Sequence, residues 1–506
     1  MFKKLLSDTV IYGLTTMLMK LINYLLVPLH TEVFTPDSFG IVSYFYAYAV
    51  LFNIIYTYGM ETTYFRFATK KDDGGQAFNY IQTSLLLTSI LFSSLLWLFA
   101  PHISDLLGYA NSEIYVRFFA LLFAIDTMLV IPFANLRILG KAKRFASLKL
   151  TEALLTYALN YFFLVSCKEI YANGQEGILT DLVRQFYDPN FGLGYTFLAN
   201  LITKAGIMLL LLDKFLEIKL RWSWSKMQPY LKYGFPLVFS GIAFAINEVS
   251  DRQLLKLLLP DDFYSFGGAD YAIGIYSANY KLSIFITLAV TAYKYAAEPF
   301  FFATADSKDS PKVFANVMYY FVIVLMMMVL VVVANLSWIA PIFIRSSSYL
   351  VGLPVVPILL MANVFLGMYY NLSVWFKVTD QTKYGAYISF VGAVITIGLN
   401  TLLIPIIGFY GSAIATLSCY FTMMVLAYVL GQKYYPIPYN IKMISFYIVL
   451  TGIFVLLITF LKFDSFAENF IVHNSIFAIF LLIIAFVERK FIKQTANSIK
   501  NKLLKK

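Results

Sequence analysis

Two neighbouring apolar stretches, residues 231–259 and 271–302, carry charges where a hydrophobic chain would ordinarily have none. The first holds Glu248, Asp251, Arg252 and Lys256; the second holds Lys281, Lys294 and Glu298. On a helix Glu248, Arg252 and Lys256 fall at i, i+4 and i+8 along one stripe, with Asn247 and Asp251 on the adjoining one. Glu before Arg at that spacing is the favourable order for an ion pair. Tyr280, Thr287, Thr291, Lys294 and Glu298 form a second stripe, with Lys281 beside it. An ionised group near a bilayer centre costs about 2.5–3.5 kcal/mol, so this many in one hairpin require partners or a wet cavity. Two chemistries fit. The charges form internal salt bridges that fix helix register, or the cations line a wet cavity that takes an anionic ligand out of water and releases it again. Lysine, a point charge, suits holding and release.

Other predicted spans add Lys20 with Asn23, Glu61, Asp126 and Lys204. Lys20, Lys204 and Lys281 have no obvious partner nearby in sequence, which favours the cavity reading for them. The carboxylates Glu61, Asp126, Glu248, Asp251 and Glu298 either carry H+ or Na+ for coupling or neutralise neighbouring cations.

The elements that position these groups are membrane helices. Of 506 residues 60% are hydrophobic and 13% charged, with mean hydropathy +0.73, whereas a soluble chain carries about 25% charged residues. Apolar runs long enough to cross a bilayer recur throughout. They predict an all-α polytopic membrane protein with fourteen spans: 8–33, 39–66, 78–100, 113–137, 147–168, 192–213, 231–259, 271–302, 313–335, 352–376, 384–404, 410–432, 441–461 and 470–488. The first has the charged start of a signal peptide, but Lys20 interrupts it and no small-residue cleavage site follows, so it reads as a retained helix.

Basic residues set the expected orientation. Of 39 lysines and arginines, 28 fall in the even-numbered links and the termini and only 4 in the opposite links. Both termini are therefore expected in the cytoplasm. The net charge of +11 then reports orientation and contact with anionic lipid, and nucleic acid is not needed to explain it. Two cysteines and three scattered histidines form no disulfide framework and no metal-binding spacing. In the long external link, 169–191, Ile178, Leu179, Leu182, Val183 and Phe186 recur at helical spacing. They describe either an amphipathic helix on the membrane surface or a lid over the helices.

The chain also repeats itself. Gly40, Ile41, Ser43 and Tyr46 match Gly274, Ile275, Ser277 and Tyr280 at an offset of 234 residues. Tyr12-Gly13 opens the first span as Tyr233-Gly234 opens the seventh, and Leu159-Asn160 matches Leu399-Asn400. Both halves start on the same side, so they form parallel repeats related by a pseudo-twofold axis along the membrane normal. Such an arrangement places a substrate site between the halves. The expected division is residues 1–215, 216–436 and a C-terminal 437–506 holding two extra helices and a basic tail.

YGFPLVFSG (233–241), IGIYSANYKL (273–282) and LNTLLIPIIGFYGSAIATLSCY (399–420) resemble the polysaccharide transporter family of the MOP exporter superfamily, the Wzx-type flippases. VPLHTEVFTPDSFGIVSYF and YGMETTYFRF in the first half agree. The resemblance implies two six-helix lobes around a central cavity plus two further helices. It implies a carrier that moves an undecaprenyl-pyrophosphate-linked oligosaccharide between leaflets of the bacterial plasma membrane for cell-surface polysaccharide biosynthesis. No cofactor is implied, and the partners would be the lipid-linked glycan and glycan polymerase or assembly proteins. The related lipid II flippase keeps basic residues in helices 1, 2 and 8; Lys20 and Lys281 fall in helices 1 and 8, while Arg66 sits at the end of helix 2. The expected substrate residues are Lys20, Lys204, Arg252, Lys256, Lys281 and Lys294. A MATE-like ion-coupled exporter of small molecules is the competing reading and predicts an acidic cavity. A membrane enzyme would bring a large catalytic loop, which the roughly 23-residue external link is too short to be.

Overall fold

The computed structural model describes residues 2–68, 76–173, 177–304, 307, 309–379, 381–490 and 493; within them the side chains of residues 2–10, 173, 296, 298, 299, 302 and 303 are not described. Lys70, Lys71, Lys308 and the tail lysines 500, 502, 505 and 506, used above for orientation, lie outside the described residues, as does the side chain of Glu298. Every regular element among the described residues is helical.

All fourteen predicted stretches are helical. They are α1 (Phe2–Tyr24, then Leu26–Val33), α2 (Pro36–Thr57, then Met60–Ala68), α3 (Gln76–Leu98), α4 (Glu113–Ile138) and α5 (Ala142–Tyr161, running on to Cys167–Asn173). There follow α6 (Gly194–Leu210), α7 (Trp224–Leu258), α8 (Ala269–Lys281, then Ile284–Thr304), α9 (Ser310–Ala334) and α10 (Val355–Leu372, then Val374–Val378). The last four are α11 (Lys383–Ile407), α12 (Phe409–Tyr434), α13 (Ile441–Phe460) and α14 (Phe466–Val487). Among the described residues eleven helices are long and apolar enough to cross a membrane, or twelve if the two pieces of α8 form one span. The remaining two miss for physical reasons. Helix α6 has only 17 residues, and α7, at 35 residues, carries the charges that drew attention to it.

Four of the predicted spans come in two pieces, α1, α2, α8 and α10, and two of these breaks carry clear backbone signs. Helix α2 stops at Tyr58 and Gly59, both at positive φ, and α8 bends by 50° between Lys281 and Ile284. Helix α11 runs past its predicted end at 404 with Pro405 inside it, and Gly408, at φ 58°, makes the turn into α12. The link at 169–191 contains a helix, Ile178–Phe186, that buries Thr180 and Val183 and exposes Ile178, Leu179, Leu182 and Phe186.

Helix packing follows the internal repeat. In the first half α1 packs on α5, α5 on α6 and α6 on α4; in the second, α7 packs on α11, α11 on α12 and α12 on α10. Across the middle, α2 crosses α8, α1 meets α8 and α7 meets α2. The matched glycines explain why the motif recurs. A Cβ on Gly40 would stand 1.8 Å from the Asp270 carbonyl oxygen, and one on Gly274 would stand 1.9 Å from that of Pro36. Gly40 and Gly274, like Pro36 and Asp270, are separated by the repeat offset, so the two helices meet backbone to backbone across a pseudo-twofold axis. The Tyr-Gly pairs behave alike: Gly13 of α1 lies against Tyr295 of α8, and Gly234 of α7 against Tyr58 and Met60 at the break in α2. Helices α13 and α14 attach outside this arrangement, on α9. There Glu488 accepts hydrogen bonds from Tyr319 and, at 2.9 Å, from Tyr447.

Candidate functional site: a charged cavity between the helix sets

Between these central crossings lies a cavity of about 920 Å³, walled by helices from both halves. Phe39 and Ser277, close in sequence to the Gly40–Gly274 crossing, line it, and near that crossing Tyr349 donates to the Phe34 carbonyl at 2.8 Å. Thr16 and Tyr295 also line it and are joined by a hydrogen bond that Tyr295 donates at 3.2 Å.

Five of the six cations expected to bind substrate line this cavity: Lys20, Lys204, Arg252, Lys281 and Lys294. Their environments differ. Lys204 of α6 is held between Asp126 of α4 at 2.5 Å and Glu152 of α5 at 2.6 Å, and Lys149 takes the other Glu152 oxygen at 2.8 Å. Two positive and two negative charges close on each other there. Arg252 pairs with Asp251 at 2.7 Å and donates to the Glu248 backbone carbonyl at 3.2 Å. The expected Glu248–Arg252 side-chain pair is therefore replaced: Tyr276, fully buried on α8, donates to the second Asp251 oxygen at 2.7 Å and fixes that carboxylate as the guanidinium's partner. Tyr280 lies under the same guanidinium, 4.7 Å from its ring centre.

Lys20 and Lys281 stand apart. Neither has a carboxylate within salt-bridge distance among the described residues, and both are exposed to the cavity. Lys20 donates to Thr291 of α8 at 3.0 Å, so α1 and α8 are joined through a neutral hydroxyl. Lys294 lies 4.9 Å from the Tyr370 ring. Glu248 also faces the cavity without a salt bridge among the described residues.

Three expected residues lie elsewhere. Lys256 is one helical turn beyond Arg252, about 6 Å further along α7, where α8 begins. It bonds Asp270 at 2.7 Å and sits 4.6 Å from the Tyr109 ring. Tyr109 itself donates to Asp270 at 2.6 Å, so Lys256 belongs to a contact joining the two helix sets. Glu61 lies past the break in α2 and meets Arg137 at 3.3 Å, both largely exposed. Asp251 is buried behind the wall in its pair with Arg252.

Glu152 was not singled out from the sequence. Its signal was there: Glu152, Thr156 and Asn160 recur at i, i+4 and i+8 along α5, a polar stripe inside an apolar span. Asn160 ends the stripe by meeting His30 of α1 at 3.1 Å. Because Lys204 compensates two part-buried carboxylates, Lys204→Met should lower stability by about 3–5 kcal/mol, the usual cost of stranding one side of a buried pair. A thermal melt of the detergent-purified variant checks this, and adding Asp126→Asn should restore part of the loss.

Helices of this length and composition, packed as two related sets around a charged cavity, define a multi-pass membrane transporter. The chain belongs to the polysaccharide biosynthesis protein family, whose model matches residues 5–305. No curated protein matches the sequence. Among solved structures it is similar to the lipid II flippase MurJ in an inward closed conformation, with 14% identity, a TM-score of 0.71, and coverage of 96% of this chain and 100% of that one. It is also similar to an inward-facing multidrug resistance MATE family transporter of the MOP superfamily, with 14% identity, a TM-score of 0.61, and coverage of 85% and 96%. A MOP superfamily transporter from Pyrococcus furiosus, described as having a binding pocket of reverse polarity, matches with 15% identity, a TM-score of 0.52, and coverage of 85% and 94%. These likenesses establish the MOP-type fold.

Proposed function

We propose that the protein is a flippase that carries a polyprenyl-pyrophosphate-linked oligosaccharide, the prenyl unit being undecaprenyl, from the inner to the outer leaflet of the bacterial plasma membrane. In this reading the chain crosses fourteen times with both termini cytoplasmic. Residues 1–215 and 216–436 rock against each other, and glycan polymerase or assembly proteins take the product. One observation carries it: Lys20 and Lys281 face the cavity with no carboxylate within salt-bridge distance among the described residues, only the longer-range charge of Glu248 acting on both. A cation without a close counter-charge is costly, and pyrophosphate supplies one. The prenyl tail stays in lipid while the headgroup crosses through the cavity.

A MATE-like exporter of organic cations would need the opposite balance. Among the described residues five cations line the cavity against the three carboxylates Asp126, Glu152 and Glu248, two of which are already bound to Lys204. Coupling to H+ or Na+ falls most naturally on Glu248, the cavity carboxylate without a salt bridge among the described residues. The reading is tested by depleting the protein in cells and assigning lipid-linked glycan to a leaflet. Build-up on the inner leaflet is expected, and its absence contradicts the reading.

A further inference from the structure

The cavity has two chemically different walls. On α1 and α8 stand Lys20 and Lys281, without carboxylate partners among the described residues, beside the hydroxyls Thr287 and Thr291. On α2, α4, α5 and α6 the charges are closed, with Lys204 shared by Asp126 and Glu152 and backed by Lys149. That second wall is rich in neutral hydrogen-bonding groups. Asn200 donates through Nδ2 both to the Tyr46 hydroxyl and to the Thr196 carbonyl, the latter at 3.0 Å. Both amide hydrogens are then used, which leaves Asn200 Oδ1 to accept and the Tyr46 hydroxyl hydrogen to donate. Among the described residues the hydroxyl of Thr196, 1% exposed, and the amide oxygen of Asn53 have no hydrogen-bond partner, and both residues line the cavity. Phe119 supports the Tyr46 ring edge-on at 5.6 Å. A wall of compensated charge, spare donors and acceptors, and aromatic faces suits sugar hydroxyls and repays a phosphate little.

Resting on the flippase reading, we propose that the glycan of the carried lipid lies along the wall formed by Tyr46, Asn200, Thr196 and the Lys204 cluster, while the pyrophosphate sits against Lys20 and Lys281. The first half of the chain then selects the glycan, and the α1–α8 seam reads only the group common to all such lipids. Pairing also explains why carboxylates sit in a cavity for an anionic lipid. Lys204 cancels their repulsion, and their oxygens remain acceptors for hydroxyls.

The test uses the full chain in nanodiscs and two probes, undecaprenyl pyrophosphate and the same lipid carrying an N-acetylglucosamine disaccharide. The unaltered protein should bind the glycosylated lipid more tightly. Tyr46→Phe and Asn200→Leu should each weaken the glycosylated lipid about tenfold, the scale of one lost hydrogen bond with a partner left unpaired, and leave the bare lipid within about twofold. Lys281→Ala should weaken both equally. Unchanged binding of bare lipid shows that the Tyr46 and Asn200 variants are folded, and an unchanged thermal melt shows the same for Lys281→Ala. The partition is overturned if the unaltered protein binds both lipids equally, if the Tyr46 and Asn200 variants lose both together, or if they lose neither. If the unaltered protein binds neither lipid, the flippase reading itself falls, and the partition with it.

Discussion

Replacing Lys20 and Lys281 together by alanine is expected to cut transport at least about a hundredfold, since each charge-assisted hydrogen bond to a phosphate is worth about 1.5–3 kcal/mol. The amount of protein in the membrane should not fall. The reason lies in their surroundings. A buried ion pair loses stability when one member is removed, because its partner is stranded. Lys20 and Lys281 leave no salt-bridged carboxylate behind among the described residues, and Glu248, on which both act at longer range, keeps Arg252 nearby; Lys20 gives up one hydrogen bond to Thr291 and Lys281 gives up none among the described residues. Removing an ammonium that lacks a close counter-charge also relieves part of its desolvation cost. The contrast with Lys204→Met, where stability should drop, separates binding cations from structural ones. Lys281→Arg, which keeps the charge, should retain part of the activity. Transport rate per unit of membrane-inserted protein is the quantity to measure, and unchanged transport in the double variant would sink the cation-cavity argument.

The second large effect is steric. Gly40→Ala or Gly274→Ala places a methyl group within 2 Å of a carbonyl oxygen on the facing helix, far inside contact distance. The helices must separate, at a cost of about 1–3 kcal/mol or more. The two helix sets should then hold together less tightly at this crossing. Distances between spin labels on α2 and α8 should lengthen, and transport should fall about tenfold or more because one state of the cycle is disfavoured. Once either methyl has parted the helices, the second costs little, so the double variant should fall well short of the sum of the singles. Additive losses, or unchanged label distances, would contradict a direct crossing at this pair.

The importance of Gly40 and Gly274 was legible in the sequence as a repeat, and the structure supplies its cause: both serve one self-matching contact. The α7–α8 hairpin was legible as a polar feature because each charge in an apolar run stands out singly. Which charges pair was not legible. The i, i+4 spacing favoured Glu248 for Arg252, but Tyr276, on another helix, secures Asp251 for it. Lys256 and Arg252 share a stripe, yet one turn carries Lys256 past the cavity to Asp270. Glu152 escaped notice because its stripe on α5 matters only once Lys204 arrives from α6. Periodicity reports which face of a helix is polar, and packing alone decides what that face meets.

The most direct test of the central claim is reconstitution. Purified protein is placed in liposomes holding a fluorescent undecaprenyl-pyrophosphate disaccharide, and a membrane-impermeant quencher reports how much of it changes leaflet. The account predicts that quenching goes beyond the initially exposed half with the unaltered protein and stops there with the Lys20→Ala/Lys281→Ala variant. Equal quenching by both proteins, whether beyond the exposed half or stopping there, would contradict it.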